Sequence, residues 1–468
     1  MPVESRLVDS SAVALRQLIG TREVSVTEVV LAALERVEKL NGTINAIVTL
    51  NPRAMDDARE LDQRIARGED PGLLCGLTAG IKDVTPVAGL RTTFGSPIYA
   101  DHVPDDDAVV VKRLRAAGAV ILGKTNCPEF AAGGNTFNEV FGRTRNPWNT
   151  GRSAGGSTGG GAAALASGMI ALAEGTDLGG SLRIPASFCG IVGLRPSAGL
   201  VPTYPTDWAW DTLQVTGPMA RTAEDVALML QAIAGPSERS PLGHAPASRD
   251  FVAAVKAGPR RGARVAYCAD PARIGIDPGI ERLCREAAFG LTQAGATVEE
   301  IDLDLSAARP AFLALRGLWF VTHMTPRLDQ AHRFGPNVAN NVKAGLETST
   351  RDLAAAEQER GRIWQTFREL FARFDYVVTP CMAVSPFPVE QNYPDAIAGK
   401  PMQTYVDWIA PTFVLSLTGL PVASVPCGID ECGMPVGLQV AGRPAGEEAV
   451  LALAATLQQQ RPIGSPSP

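Results

Sequence analysis

Histidine is scarce in this chain, with four in 468 residues. His102, His244, His323 and His332 stand in stretches that carry no partner motif, which argues against histidine as a catalytic base. Cysteines number eight, yet none forms a CxxC pair and no Cys/His cluster has metal spacing. Buried, reduced thiols are therefore expected. Positive charge is not in excess either: the net charge is −6 and no basic stripe is visible, which excludes an obvious nucleic-acid surface. Long apolar runs are missing. The longest, near residues 162–173, is broken by Ser167 and Gly168 and is too short to span a bilayer. The first residues show neither a basic segment nor an apolar signal run, so the expectation is a cytoplasmic protein without a membrane partner.

What the chain has in quantity is small residues, and they are concentrated. Gly151–Cys189 holds two glycine loops, Gly155-Gly156-Ser157-Thr158-Gly159-Gly160-Gly161 and Thr176-Asp177-Leu178-Gly179-Gly180-Ser181. Glycines this dense allow positive φ and let several N–H groups crowd one point, a concavity suited to a phosphate or to the oxyanion of acyl transfer. A hydroxyl in each loop favours the second. Upstream, Lys82 sits in the apolar stretch Leu77–Val84. There it either pairs with a carboxylate or is desolvated into a neutral base.

Two apparent motifs fail on context. Gly118 to Thr125 matches the phosphate-loop spacing, but its four middle residues, Ala119–Leu122, read as a strand rather than a loop, with Gly123–Asn126 as the loop after it. Gly155 to Gly159 matches a nucleophile elbow, but loop chemistry, Asn146–Gly151, precedes it instead of a buried strand.

Elements alternate along the chain. Residues 8–40 read as two helices, with Ser25 and Glu28 forming a capping box for the second. Further helices are expected over 53–67, 105–117, 222–234, 280–294 and 447–459. Strands are expected at 46–50, 119–122, 169–173, 264–267, 296–301, 376–379 and 422–425, with 236–260 a surface connection and 308–375 mostly helical. The pattern predicts an α/β fold, a single large domain with a mixed, mostly parallel central sheet covered by helices on both faces. Within it we separate an N-terminal helical region (1–70), a core (71–235), a helical segment covering a substrate pocket (236–375) and a return to the sheet (376–468).

Lys82, the two serines and their glycine loops resemble the amidase signature family. The resemblance runs over nearly the whole chain and is most specific at Gly80–Asp83, Gly123–Asn126, Arg145–Trp148, Gly155–Ser157 and Gly179–Ala186, returning at 375–380 and 419–442. It implies an amidase that cleaves a carboxamide C–N bond through an acyl-enzyme, with Ser181 as nucleophile, Ser157 as bridging serine on a cis peptide and Lys82 as base. It further implies an oxyanion hole from the N–H groups of Leu178, Gly179, Gly180 and Ser181, braced by Asp177 and Arg183, with no cofactor and no metal. The expected partner is a small-molecule amide, and a homodimer is allowed.

Departures from the family pattern fall around the pocket. Thr158 and Gly161 stand where the family usually has serines, and Phe137 where it commonly has glutamate. The family includes the catalytic, A-type component of glutamine-dependent tRNA amidotransferases, in which a Ser-Arg-Tyr-Gly run follows the position of Val201; here Pro202–Trp210 replaces it. That replacement favours a stand-alone hydrolase over the amidotransferase alternative, and over a non-catalytic phosphate- or nucleotide-binding protein. The aromatics Phe137, Trp208, Trp210, Trp319 and Trp408, with Phe320 and Tyr405, are expected to line a pocket for a bulky apolar or aryl amide.

Overall fold

The computed structural model describes residues 7–247 and 250–466. An eleven-stranded sheet runs through it. In chain order its strands are β1 (Ile47–Leu50), β2 (Thr78–Lys82), β3 (Val120–Thr125), β4 (Leu172–Asp177), β5 (Val192–Arg195), β6 (Val215–Ala220), β7 (Arg264–Tyr267), β8 (Thr297–Glu300), β9 (Tyr376–Pro380), β10 (Val422–Ile429) and β11 (Pro435–Ala441). Their order across the sheet is β1-β3-β2-β4-β6-β5-β10-β11-β9-β7-β8.

The sheet is mixed, as expected, but parallel pairing is not the majority. Only β2–β3, β2–β4, β7–β8 and β7–β9 are parallel. The other pairings are antiparallel. The reason is local. No helix separates β5 from β6, and β10 turns directly into β11 through a loop in which Asp430 Oδ1 accepts the N–H groups of Cys432 and Met434, both within 2.9 Å.

Helix ends follow the sequence signals. Ser11 caps Ala12–Gly20, the Ser25–Glu28 capping box starts Val26–Ile44, and Thr222 caps Ala223–Ile233. Among the described residues of 236–260 there is one helix, Phe251–Ala257. Strand β3 continues through Gly123, Lys124 and Thr125, so these residues are in the sheet and not in a loop. Lys124 is buried: Nζ donates to the carbonyl of Thr85 and to Thr92 Oγ1 (2.9 Å) and stands 3.8 Å from Asp83 Oδ1. Its polar contacts are to the protein itself, in a side chain with no solvent exposure.

The middle of the molecule is built from small residues. All eight residues of the helix Gly159–Ala166 are buried. A Cβ on Gly160 would strike the backbone of Asn126, so glycine sets how closely this helix meets β3. A second apolar core lies between the helices Ala308–Met324 and Ala410–Ser416, where the Phe312 and Phe413 rings stack with centroids 4.3 Å apart. Seven of the eight cysteines are buried and Cys432 is exposed.

Candidate active site

Parallel strands β2 and β4 end side by side, which brings Lys82 and Thr176 to the same edge of the sheet. The Gly155–Gly161 loop crosses that edge. Its Gly156–Ser157 peptide is cis, and Gly155 has φ +74° with Pro185 packed where a side chain would project. Ser157 Oγ lies 2.7 Å from Lys82 Nζ, which also donates to Thr176 Oγ1 at 2.8 Å. Lys82 and Ser157 are fully buried. Burial lowers the Lys82 pKa to about 8, against the pull of nearby anionic groups. Glu174 lies beneath: its carboxylate accepts the Lys82 N–H (3.2 Å) and the Thr85 hydroxyl (3.0 Å), and burial pushes its pKa up.

Ser181 opens onto the same small pocket as Ser157 and Thr176, a space of about 20 Å³. Its loop is held from behind by Asp177. Oδ1 of Asp177 accepts from the Gly180 N–H (2.9 Å), Arg183 Nη2 (3.0 Å) and Arg195 Nη1 (3.1 Å). Oδ2 accepts from the Leu182 N–H (3.2 Å) and Arg183 Nε (3.0 Å). The two guanidiniums and these hydrogen bonds hold Asp177 well below the usual carboxylate range in spite of its burial. Arg183 reaches onward to the Thr412 carbonyl (2.9 Å), Gln439 Oε1 (2.7 Å) and Ser416 Oγ (2.6 Å). Thr412 in turn donates to the Gly179 carbonyl at 2.6 Å. Gly180 has φ +127° and a Cβ there would overlap Thr412, so only glycine fits.

One expectation for this loop changes. The Gly180 N–H is given to Asp177, which removes it from the set that could face a substrate oxygen. Among the described residues no acceptor takes the N–H of Leu178, Gly179 or Ser181.

A cleft of about 240 Å³ adjoins the small pocket, sharing Phe130, Trp319 and Gln214 with it. Trp319 is fixed by donating Nε1 to Asp211 Oδ2 at 2.9 Å, and His323 stacks on it with centroids 4.0 Å apart. Burial lowers the His323 pKa. At the rim Arg327 pairs with Asp207 (3.1 Å) and donates to the Tyr99 hydroxyl (2.8 Å).

Of the aromatics expected here, Trp319 and Phe320 line the two spaces. The others do not. Trp210 is 66 % exposed. Trp208 packs beside the core but does not line the cleft. Phe137 lies under the Arg143 guanidinium, 4.6 Å from it, in a short ribbon. Trp408 is fully buried against Phe188 and Phe387, and Tyr405 faces Arg316. Position in a segment that departs from the family pattern does not tell an inward ring from a packed or exposed one. Phe130, Gln214 and Arg316 had no sequence signal, because tertiary packing alone brings them to the serines.

The sequence model of one protein family, described as Amidase, matches residues 28–451. The chain belongs to the amidase family. It is an enzyme, a hydrolase of amide C–N bonds. It is 35 % identical over 466 residues to an acylamidase of Rhodococcus erythropolis, covering 98 % of this chain and 97 % of that one. It is 34 % identical over 474 residues to the A-type component of the glutamyl-tRNA(Gln) amidotransferase of Gloeobacter violaceus, covering 95 % of each. Among solved structures, a bacterial aryl acylamidase of the amidase signature enzymes superposes with a TM-score of 0.91 at 27 % identity, covering 97 % of this chain and 96 % of the other. The peptide amidase of Stenotrophomonas maltophilia gives 0.83 at 28 % identity, with 98 % of each covered. Among the described residues of this amidase no helix is long and apolar enough to cross a membrane.

Proposed function

We propose that this amidase hydrolyses a bulky apolar or aryl carboxamide through an acyl-enzyme on Ser181, acting without a partner chain. The observation that carries the reading is the buried Lys82–Ser157 contact of 2.7 Å on the wall of the pocket that Ser181 enters. A serine hydroxyl attacks only when its proton is taken. Neutral Lys82 has two N–H groups and one lone pair. It gives one N–H to Thr176 and turns the lone pair to the Ser157 hydroxyl. Lys82 then takes the Ser157 proton as Ser157 takes that of Ser181, and Ser181 Oγ adds to the substrate carbonyl. The negative charge on the carbonyl oxygen falls to the N–H groups of Leu178, Gly179 and Ser181. The proton returns through Ser157 to the departing nitrogen as the C–N bond breaks. Water then adds to the acyl carbon, its proton passing through Ser157 to Lys82, and that proton returns through Ser157 to Ser181 Oγ as the ester bond breaks and the carboxylic acid leaves.

The apolar walls around Phe130 and Trp319 support an aryl or bulky group in the wide cleft. The fit to an aryl acylamidase (TM-score 0.91) is also better than to the A-type amidotransferase component of Thermotoga maritima (0.73 at 27 % identity). The amidotransferase relatives keep a second reading alive, in which the chain releases ammonia from glutamine for a partner. A panel of anilides, aliphatic amides and glutamine, assayed with the isolated chain, tests the proposal. The expected result is turnover of anilides well above that of acetamide or glutamine. Glutamine as the best substrate would assign the chain to the second reading.

A further inference from the structure

Among the described residues three arginines are buried outright: Arg183, Arg195 and Arg316. The first two share the carboxylate of Asp177. Arg316 has no such partner: among the described residues no carboxylate lies within ion-pair distance of it. It sits on the helix Ala308–Met324, is 5 % exposed and borders the small pocket that Ser157 and Ser181 enter. Nε donates to Asn341 Oδ1 (2.9 Å) and Nη2 to the Tyr405 hydroxyl, which also accepts from Asn341 Nδ2 (2.7 Å). Nη1 makes no hydrogen bond to a described residue. Phe320, Tyr405 and Phe312 surround the guanidinium carbon, with centroids at 4.9, 5.4 and 6.0 Å.

Every one of these partners is neutral, and a guanidinium taken out of water without a counter-charge is unfavourable. Two of its five N–H groups are satisfied by the protein and the rest are left for something else. The pocket it borders contains no acidic residue. Such a site complements an anion, and a planar carboxylate matches the free edge of a guanidinium. This pocket is much the smaller of the two spaces, so the group it takes is carried on a short arm.

We propose that Arg316 is a specificity residue that binds a carboxylate carried on the short arm of the amide substrate, while the bulky arm occupies the wide cleft. This rests on the reading of Ser181 as nucleophile. The carboxylate can belong to the acyl half or to the amine half, and the chemistry at Arg316 is the same.

Two matched pairs of substrates test it. For the acyl half the pair is the mono-para-nitroanilide of succinic acid and the para-nitroanilide of butyric acid. For the amine half it is N-benzoylglycine and N-benzoylethylamine. In the wild type, kcat/KM for the acid should exceed that for its neutral partner by roughly 30- to 100-fold in at least one pair, and the favoured pair identifies the half. In Arg316→Met the ratio should fall to about one, with the neutral substrate's kcat/KM moving only a few-fold; a merely structural role would depress both substrates together. A wild-type ratio of one or less in both pairs overturns the proposal, even if the variant does not fold. So does a ratio unchanged in Arg316→Met. Failure of the underlying reading looks different. Ser181 would then take no fluorophosphonate label while amides are still cleaved, and the inference would fall with it.

Discussion

Lys82 and Ser157, 75 residues apart in the chain, meet with Nζ and Oγ 2.7 Å apart and no solvent on either side chain. Burial both brings them together and disfavours the ammonium form. The same desolvation that makes a lysine costly to bury makes it usable as a base near neutral pH.

The pH profile follows from this. The protonated form of Lys82 cannot accept the Ser157 proton, and its pKa is lowered to about 8. kcat/KM should therefore rise with pH up to about 8 and level off above it. Lys82→Ala should cost about 10²–10⁴-fold and abolish that limb while circular dichroism stays native. A variant that keeps the wild-type profile would place the base elsewhere.

Asp177 should matter to folding as well as to the shape of the Ser181 loop. Removing its carboxylate strands two fully buried guanidiniums, Arg183 and Arg195. Asp177→Ala is expected to destabilise by about 3–5 kcal/mol in denaturant titration. A loss below about 1 kcal/mol would mean that water or relaxation satisfies both arginines.

The loop that carries Ser181 should tolerate no side chain at its turn. Gly180 has φ +127° and Thr412 fills the space beside it. Gly180→Ala should lower kcat by orders of magnitude or prevent folding, and Thr412→Ser, which keeps the hydroxyl donated to Gly179, should be nearly silent. Activity assays and thermal melts on the two variants decide this.

Cleft and surface aromatics separate cleanly. Trp319→Ala should reduce kcat/KM for an anilide by roughly ten- to a hundredfold, the equivalent of about 1.5–3 kcal/mol of apolar contact, and far less for a small aliphatic amide. Trp210→Ala should leave both unchanged within about twofold, since Trp210 projects into solvent. Equal effects from the two variants would contradict the placement of the cleft.

How much of this was readable in advance depends on distance along the chain. Lys82, Ser157 and Ser181 each stand in a local motif with its own glycines or apolar neighbours; Ser157 and Ser181 border one small pocket, and Lys82 is buried against Ser157. The amidase fold was legible for the same reason. Strands β5, β6 and β11 were not, because short, fully buried strands show no alternation of polar and apolar residues. The direction of strand pairing depends on which connections carry helices, and the β10–β11 turn gave no strong signal. Arg195, Thr412 and Arg316 come to the site from β5 and from helices far along the chain. Their chemistry is set by what they touch there, and neighbours in sequence do not reveal it. The Gly180 N–H is a similar case: its glycine was visible, but its commitment to Asp177 was not.

The proposed mechanism turns on Ser181 as the nucleophile. An alkyl fluorophosphonate, which phosphonylates an activated serine, followed by peptide mapping, tests it most directly. The expected outcome is one modified residue, Ser181, with labelling lost in Ser181→Ala and strongly slowed in Lys82→Ala. Modification of Ser157 instead, or amide hydrolysis surviving in Ser181→Ala, would contradict the account.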